Sequence, residues 1–287
     1  MSVDVAEPME WKVDGLTIAG LAWGRPDAQP VLALHGWLDN AASFSALAPL
    51  LEDYYVVALD LSGHGQSSRR SADASYQIWD DLPQLAAVIE SLGWQQFAVL
   101  GHSRGAIIGG LLAAALGSRV SHLVLLDAVA PGPVAEAEFA SQLGRFLEQR
   151  DGLMRREERR LDSIEQGIAL RQSKGLSREA AEVLVPRSLL SVKGGYRWTN
   201  DPRLSGASAV KLTEGHINTA LSSIAAATLL LLADEGHGRY PELLSTAEKS
   251  IPRLVARRVE GSHHFHIDGD VAALASDLTA FLQGELT

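Results

Sequence analysis

A serine, a histidine and an aspartate set in separate loops would together do acyl-transfer chemistry. Ser103 lies in Gly101-His102-Ser103-Arg104-Gly105. A serine hydroxyl is a weak nucleophile at neutral pH. It attacks an acyl carbon only with a base in hydrogen-bond reach and a carboxylate that orients the base. The G-x-S-x-G spacing suits a sharp turn that strains the serine backbone and exposes its hydroxyl, with glycine at both flanks leaving room for strand and helix to approach. The base should come late in the chain, after the last strand. Gly261-Ser262-His263-His264-Phe265-His266-Ile267-Asp268 stands there. The small pair Gly261-Ser262 lets the loop turn tightly, so His263 is the candidate, with His264 and His266 as packing or polar neighbours. Two strand ends stay open for the acid: Asp127, and Asp234 with Glu235 beside it. The plainer roles are a structural bond from Asp127 to nearby backbone amides and a solvated turn at Asp234. Donors for a developing oxyanion should be the backbone N–H of Arg104, just after the nucleophile, and that of Trp37, in His35-Gly36-Trp37 after an early strand. His35 is expected to hold its loop by hydrogen bonds, and His64 to serve a turn.

A rival chemistry sits in the same histidine cluster. His264-x-His266-x-Asp268 matches most of the H-x-H-x-D-H pattern of binuclear metallohydrolases. Gly269 stands where the last histidine belongs, and no second paired-histidine motif supplies more ligands. No metal and no cofactor are therefore expected.

The elements that must position these residues alternate. Val31–Leu34, Tyr55–Leu59, Phe97–Leu100 and His122–Leu126 read as strands. Between them, 43–51 with Ser43 as N-cap, Ile78–Leu92 and Ala106–Leu116 read as helices. From Pro131 to about Leu221 no strand-like run appears. That stretch reads as an inserted, mainly helical cap, and its charged run Arg155–Arg160 as a solvated helix face. Thr228–Ala233 and Leu254–Val259 resume the strands, with helices at Tyr240–Ser250 and Val271–Leu282. Strands separated by helices of this length imply right-handed crossovers and a mostly parallel sheet. The expected division is a core of 1–130 and 222–287 with a cap of 131–221.

Composition narrows the class. The 287 residues, 46% hydrophobic, suffice for one large α/β domain with an insertion. A net charge of −10 argues against nucleic acid or an anionic membrane as partner. The absence of cysteine excludes disulfides, thiolate metal sites and cysteine nucleophiles. Met1–Glu10 is acidic without an apolar core, so no signal peptide is expected. Ile217–Ala233 is too polar and too short to span a membrane. A cytoplasmic location is expected. No motif addresses the oligomeric state.

In order, His35-Gly36-Trp37, Asp60-Leu61-Ser62-Gly63-His64-Gly65-Gln66-Ser67, Gly101-His102-Ser103-Arg104-Gly105 and Gly261-Ser262-His263 resemble the α/β-hydrolase superfamily over nearly the whole chain. His35-Gly36-Trp37-Leu38-Asp39-Asn40-Ala41, Gly194-Gly195-Tyr196-Arg197-Trp198 and Asp201-Pro202-Arg203-Leu204 resemble its serine hydrolase-like branch. The resemblance implies the α/β-hydrolase fold, with a mostly parallel central sheet flanked by helices and the cap described. Many members carry a catalytic Asp in a Gly-x-x-Asp turn after the penultimate strand. Here Ala233-Asp234-Glu235-Gly236 puts Gly at that place. Haloalkane dehalogenases place the acid after the strand that follows the elbow helix, where Asp127 stands. The resemblance thus favours Asp127, with Asp234 as the alternative. Ser103 in place of their nucleophilic aspartate argues against dehalogenase and epoxide hydrolase chemistry. The expectation is a serine hydrolase, carboxylesterase-like, that opens small-molecule esters through an acyl-enzyme. Lactone, thioester or C–C bond hydrolysis on the same triad, and a non-catalytic small-molecule binder of the same fold, are the alternatives.

Overall fold

The computed structural model describes residues 5–155, 159–236 and 240–286. β1 (Glu7–Val13) and β2 (Leu16–Trp23) form an antiparallel hairpin absent from the sequence reading. Its turn, Asp14-Gly15, has positive φ at both residues, 51° and 78°, the geometry an Asp-Gly pair supplies in a two-residue hairpin. β3 (Gln29–Leu34), β4 (Tyr54–Leu59), α1 (Leu82–Ser91), β5 (Phe97–His102), α2 (Arg104–Leu116) and β6 (Val120–Leu126) follow. Two helix expectations are corrected by proline. Where a helix over 43–51 is expected there are two short 3₁₀ turns, Ala41–Phe44 and Ala48–Leu50, because Pro49 removes a donor from any longer helix. The cap of the first is Asn40, whose side chain accepts from the Ala42 N–H, and not Ser43. Pro83 sits in the first turn of α1, where its missing N–H costs nothing, so the helix begins at Leu82 and not Ile78.

After β6 come α3 (Phe139–Met154), β7 (Arg160–Leu161), α4 (Ile164–Gln172), α5 (Arg178–Leu184), β8 (Leu189–Val192), β9 (Gly195–Trp198) and α6 (Glu214–Ser222). Against the expectation of no strands here, β7, β9 and β8 form a three-stranded antiparallel sheet. The missed signal is Gly194, at φ 81°, in the two-residue turn Lys193-Gly194 that closes β8 onto β9. The charged run is not one helix face: Arg155 caps α3, Arg160 opens β7, and 156–158 lie outside the described residues. The chain ends with β10 (Ala227–Glu235), α7 (Tyr240–Ser250), β11 (Leu254–Ser262), α8 (Phe265–Asp268) and α9 (Val271–Leu282).

Among the described residues, eight strands make the central sheet, in the order β1-β2-β4-β3-β5-β6-β10-β11, parallel from β4 to β11. The inner strands are apolar on both sides, as a sheet covered on both faces requires. Leu32, Leu34, Val57, Leu59 and Val99 point to the side covered by Leu85 and Val88 of α1 and Ile108 of α2. Val31, Ala33, Val56, Ala58, Ala98 and Leu100 point to the other, against Leu274, Leu278 and Phe281 of α9. From β3 the chain runs outward to β4, then returns to the other side of β3 as β5. Strand order reverses at β3, and the loops after β3 and β5 open on the crevice that such a switch point creates. Among the described residues, no helix is long and apolar enough to cross a membrane.

Candidate active site

Ser103 links β5 directly to α2 with φ 50° and ψ −116°, a strained conformation for a residue with a side chain. The turn is held tight from both sides. A Cβ on Gly105 would lie 2.0 Å from the Leu34 carbonyl oxygen, and one on Gly101 would lie 2.5 Å from Ala106 Cα. Only glycine lets α2 descend this close to β3. Arg104 is the first helical residue, so its N–H has no intrahelical acceptor. Its guanidinium turns to Asp81, at 3.7 Å, and to the Tyr76 and Gln77 carbonyls.

The sheet order brings the remaining groups to the serine. The Ser103 N–H donates to the Leu126 carbonyl at 2.9 Å, so the elbow rests on the end of β6, and Asp127 is the next residue. The Asp127 N–H donates to Leu231 on β10 at 2.8 Å. Its φ is 55°, a second strained non-glycine backbone beside the first. One carboxylate oxygen accepts the Ala233 N–H at 3.0 Å; the other meets His263 Nδ1 at 2.5 Å. β11, next to β10, ends at Ser262 and delivers that histidine. Ser103 and Asp127 line one cavity of about 380 Å³, walled further by Ile107, Pro131, Pro133 and Ile217. These lining residues carry no chemical motif; in the sequence, Pro131-Gly132-Pro133 marks only the place where alternation stops.

Asp234 is elsewhere: it is exposed, and its Oδ1 accepts the Gly261 N–H at 2.9 Å. It steadies the loop that carries His263. Trp37 is half exposed, and its indole donates to the Leu204 carbonyl at 2.9 Å, tying the loop after β3 to the segment between β6 and β10. His35 accepts the Leu61 N–H through Nε2 and donates through Nδ1 to the Gly36 carbonyl. Burial pushes its pKa down, and the two bonds fix the tautomer.

The other histidines of the loop have separate partners. His264 Nε2 meets Asp39 Oδ2 at 3.1 Å, and Arg171 from α4 donates to Asp39 Oδ1 at 2.8 Å. Burial by itself would raise the Asp39 pKa, but the hydrogen bond and charge of His264 and the charge of Arg171 hold it below the ordinary carboxylate range. His266 is buried against Ser43 Oγ at 2.8 Å, and Asp268 accepts from Ser262 Oγ. The trio His264, His266 and Asp268 therefore does not converge. His102 follows the alternation of Ala98 and Leu100 on β5 to the α9 side of the sheet, and its Nε2 donates to the His263 carbonyl at 2.8 Å. Burial, then the neighbouring histidines, push its pKa well down.

Residues 29–270 match the family model described as alpha/beta hydrolase fold. A serine hydrolase-like protein of Danio rerio is 30% identical, over 93% of this chain and 85% of the relative. One of Dictyostelium discoideum is 29% identical, over 93% of this chain and 79% of the relative. Among solved structures, the hypothetical protein PA1622 from Pseudomonas aeruginosa PAO1 superposes with a TM-score of 0.91 at 36% identity, covering 96% of this chain and 99% of that one. The thioesterase domain from the curacin biosynthetic pathway superposes with a TM-score of 0.82 at 28% identity, covering 96% and 99%.

Proposed function

This chain belongs to the α/β-hydrolase superfamily, in its serine hydrolase-like branch, and on that premise we propose that it hydrolyses small-molecule carboxylic esters through an acyl-enzyme on Ser103. The observation that carries the reading is the Asp127–His263 pair at 2.5 Å, with Asp127 and the strained Ser103 on one cavity.

Asp127 accepts the Nδ1–H of His263, which leaves Nε2 as the basic nitrogen. Ser103 Oγ attacks the acyl carbon as its proton passes to Nε2. The carbonyl oxygen takes the negative charge and accepts from the Arg104 and Trp37 N–H groups. The imidazolium, stabilised by Asp127, returns the proton to the leaving alkoxide. Water then repeats the sequence on the acyl-enzyme and frees Ser103. Besides that water, the cycle uses the chain's own groups. The segment 131–221 is a cap in this reading: Pro131, Pro133 and Ile217 form the wall against which an acyl chain would lie.

A thioester in place of the ester is the second reading, favoured by the likeness to a thioesterase domain at 28% identity. It needs the same acyl-enzyme and differs only in the leaving group.

The test pairs fluorophosphonate labelling with turnover of p-nitrophenyl esters of graded acyl length and of the matching thioesters. A label on Ser103, with turnover lost in Ser103→Ala, is expected. Labelling with no turnover of any acyl substrate would overturn hydrolysis and leave a binding protein of the same fold.

A further inference from the structure

We propose that Asp39, His102 and His264 form a binding site for one divalent transition-metal ion of the zinc class, in which the ion pins together the loop after β3, the end of β5 and the loop after β11. Among the described residues these three are the one group of His, Cys, Asp and Glu able to hold a metal, with ligand atoms all within 4.8 Å of one another. Asp39 Oδ2 is the shared vertex, 3.1 Å from His264 Nε2 and 3.7 Å from His102 Nδ1. Ligands about 2.0–2.1 Å from a zinc ion stand roughly as far apart as these two Asp39 separations, and the two histidine nitrogens, within 4.8 Å of each other, close on the ion by side-chain rotation.

The independent observation is His102. Its side chain is fully buried, and its Nδ1 has no hydrogen-bond partner while it faces Asp39. The tautomer follows from its other nitrogen. A backbone carbonyl only accepts, so the contact with the His263 oxygen puts the proton on Nε2 and a lone pair on Nδ1. An unused lone pair in a dry interior is costly unless something fills it.

The surroundings resemble the outer shell of a built metal site. Ligating histidines commonly donate their second N–H to a carbonyl, and ligating carboxylates are themselves hydrogen-bonded. His102 does the first toward His263, and Asp39 the second through Arg171 on its other oxygen. An ion between His264 and Asp39 takes the place of the proton they share. Two nitrogens and one carboxylate oxygen suit zinc or cobalt better than calcium or magnesium.

The readout belongs to the metal and is independent of whether Ser103 acts. Purified full-length protein, stripped with chelator, is titrated with Co²⁺ and then Zn²⁺. One equivalent of Co²⁺ should bind with the ligand-field bands of a low-coordinate site, and Zn²⁺ should displace it and raise the melting temperature. His264→Gln should weaken Zn²⁺ binding by at least about 100-fold, more than the loss of an outer-shell partner costs. His264→Cys, which keeps a ligand, should retain binding and add a sulfur-to-cobalt charge-transfer band, so the proposal stays testable even if His264→Gln does not fold. His263→Gln should bind Zn²⁺ as the parent does. The proposal is overturned by the absence of an equivalent of bound metal, by undiminished binding in folded His264→Gln, by a His264→Cys spectrum without the charge-transfer band, or by loss of binding in His263→Gln, which would move the ion to the Asp127 pair.

Discussion

His263 and His264 are neighbours in sequence, each set against a buried aspartate, yet the two pairs serve different parts of the molecule. His263 meets Asp127, which ends a strand of the central sheet and lines the same cavity as Ser103. His264 meets Asp39, whose second oxygen is taken by Arg171 from α4. The first pair is fastened by backbone: Asp127 is held by the amide of Ala233 and by its own amide on Leu231. The second is fastened by side chains reaching across the seam between the sheet and the segment that interrupts it. In the proposed function the first pair is a proton relay, and its carboxylate is positioned by the sheet. In the second pair, charge ties α4 to the loop after β3. Residue type alone does not distinguish the two; the partner of the second carboxylate oxygen does.

The sharpest way to break this comparison is to exchange the fates of the two histidines. Ser103→Ala and His263→Ala should each lower kcat for the best ester by about 10⁶-fold, with unchanged circular dichroism. His264→Ala should retain most of the turnover. If His264→Ala were the inactive variant and His263→Ala turned over normally, the roles would be reversed. Next in size is Asp127→Asn, expected to cost about 10⁴-fold in kcat because the amide favours the wrong imidazole tautomer.

The half of this comparison that faces Ser103 was legible in the sequence. The elbow shows itself because glycine at 101 and 105 between an apolar strand and an apolar helix has few other uses. His263 follows from its place after the last strand. Asp127 required knowledge of which strand neighbours which, and residues alone left Asp234 open beside it. The seam was not legible. Asp39, Asn40 and Asp60 lie in stretches quoted only for their likeness to relatives. Their partners, Arg171, Ser188 and Arg187, are over a hundred residues away. No local pattern announces an ion pair of that separation, because its residues need share neither helix face nor strand register. The sheet in the interrupting segment escaped for a different reason: strands of two to four residues are too short for alternation to outweigh the helical pattern around them.

Asp39→Asn tests the seam as Asp127→Asn tests the relay, through stability and not turnover. Asp39 and its two partners are well buried, with side chains 2%, 16% and 12% exposed for Asp39, Arg171 and His264. Removing one member of such a group leaves the others uncompensated and should lower the unfolding free energy by roughly 3 kcal/mol at neutral pH. The pH dependence has a definite sign. The folded pKa of Asp39 lies below its unfolded value, so its contribution is complete above about pH 4 and falls away as acid carries the pH down toward the folded pKa. Urea melts of parent and variant should therefore differ most near neutrality and converge in acid. A gap that widens below pH 4 would mean that the carboxylate is not stabilised by these partners.

The smallest effect is expected at Asp234, and its smallness is informative because this is the competing acid. Asp234 lies where the pairing of β10 with β11 shifts register between Ala233 and Glu235. Its side chain is exposed and accepts one backbone N–H, that of Gly261. Asn keeps a carbonyl oxygen for that bond and removes only the charge. Asp234→Asn should leave kcat within about threefold of the parent, and stability within roughly 0.5 kcal/mol, as for a surface change that breaks no buried contact. Gly261 lies at the end of strand β11, just before His263, so Asp234→Ala, which loses the acceptor as well, should cost more than Asp234→Asn and do so through a looser His263. If Asp234→Asn instead fell by thousands-fold while Asp127→Asn turned over normally, the orienting carboxylate would stand after β10, and the contact between Asp127 and His263 would be structural.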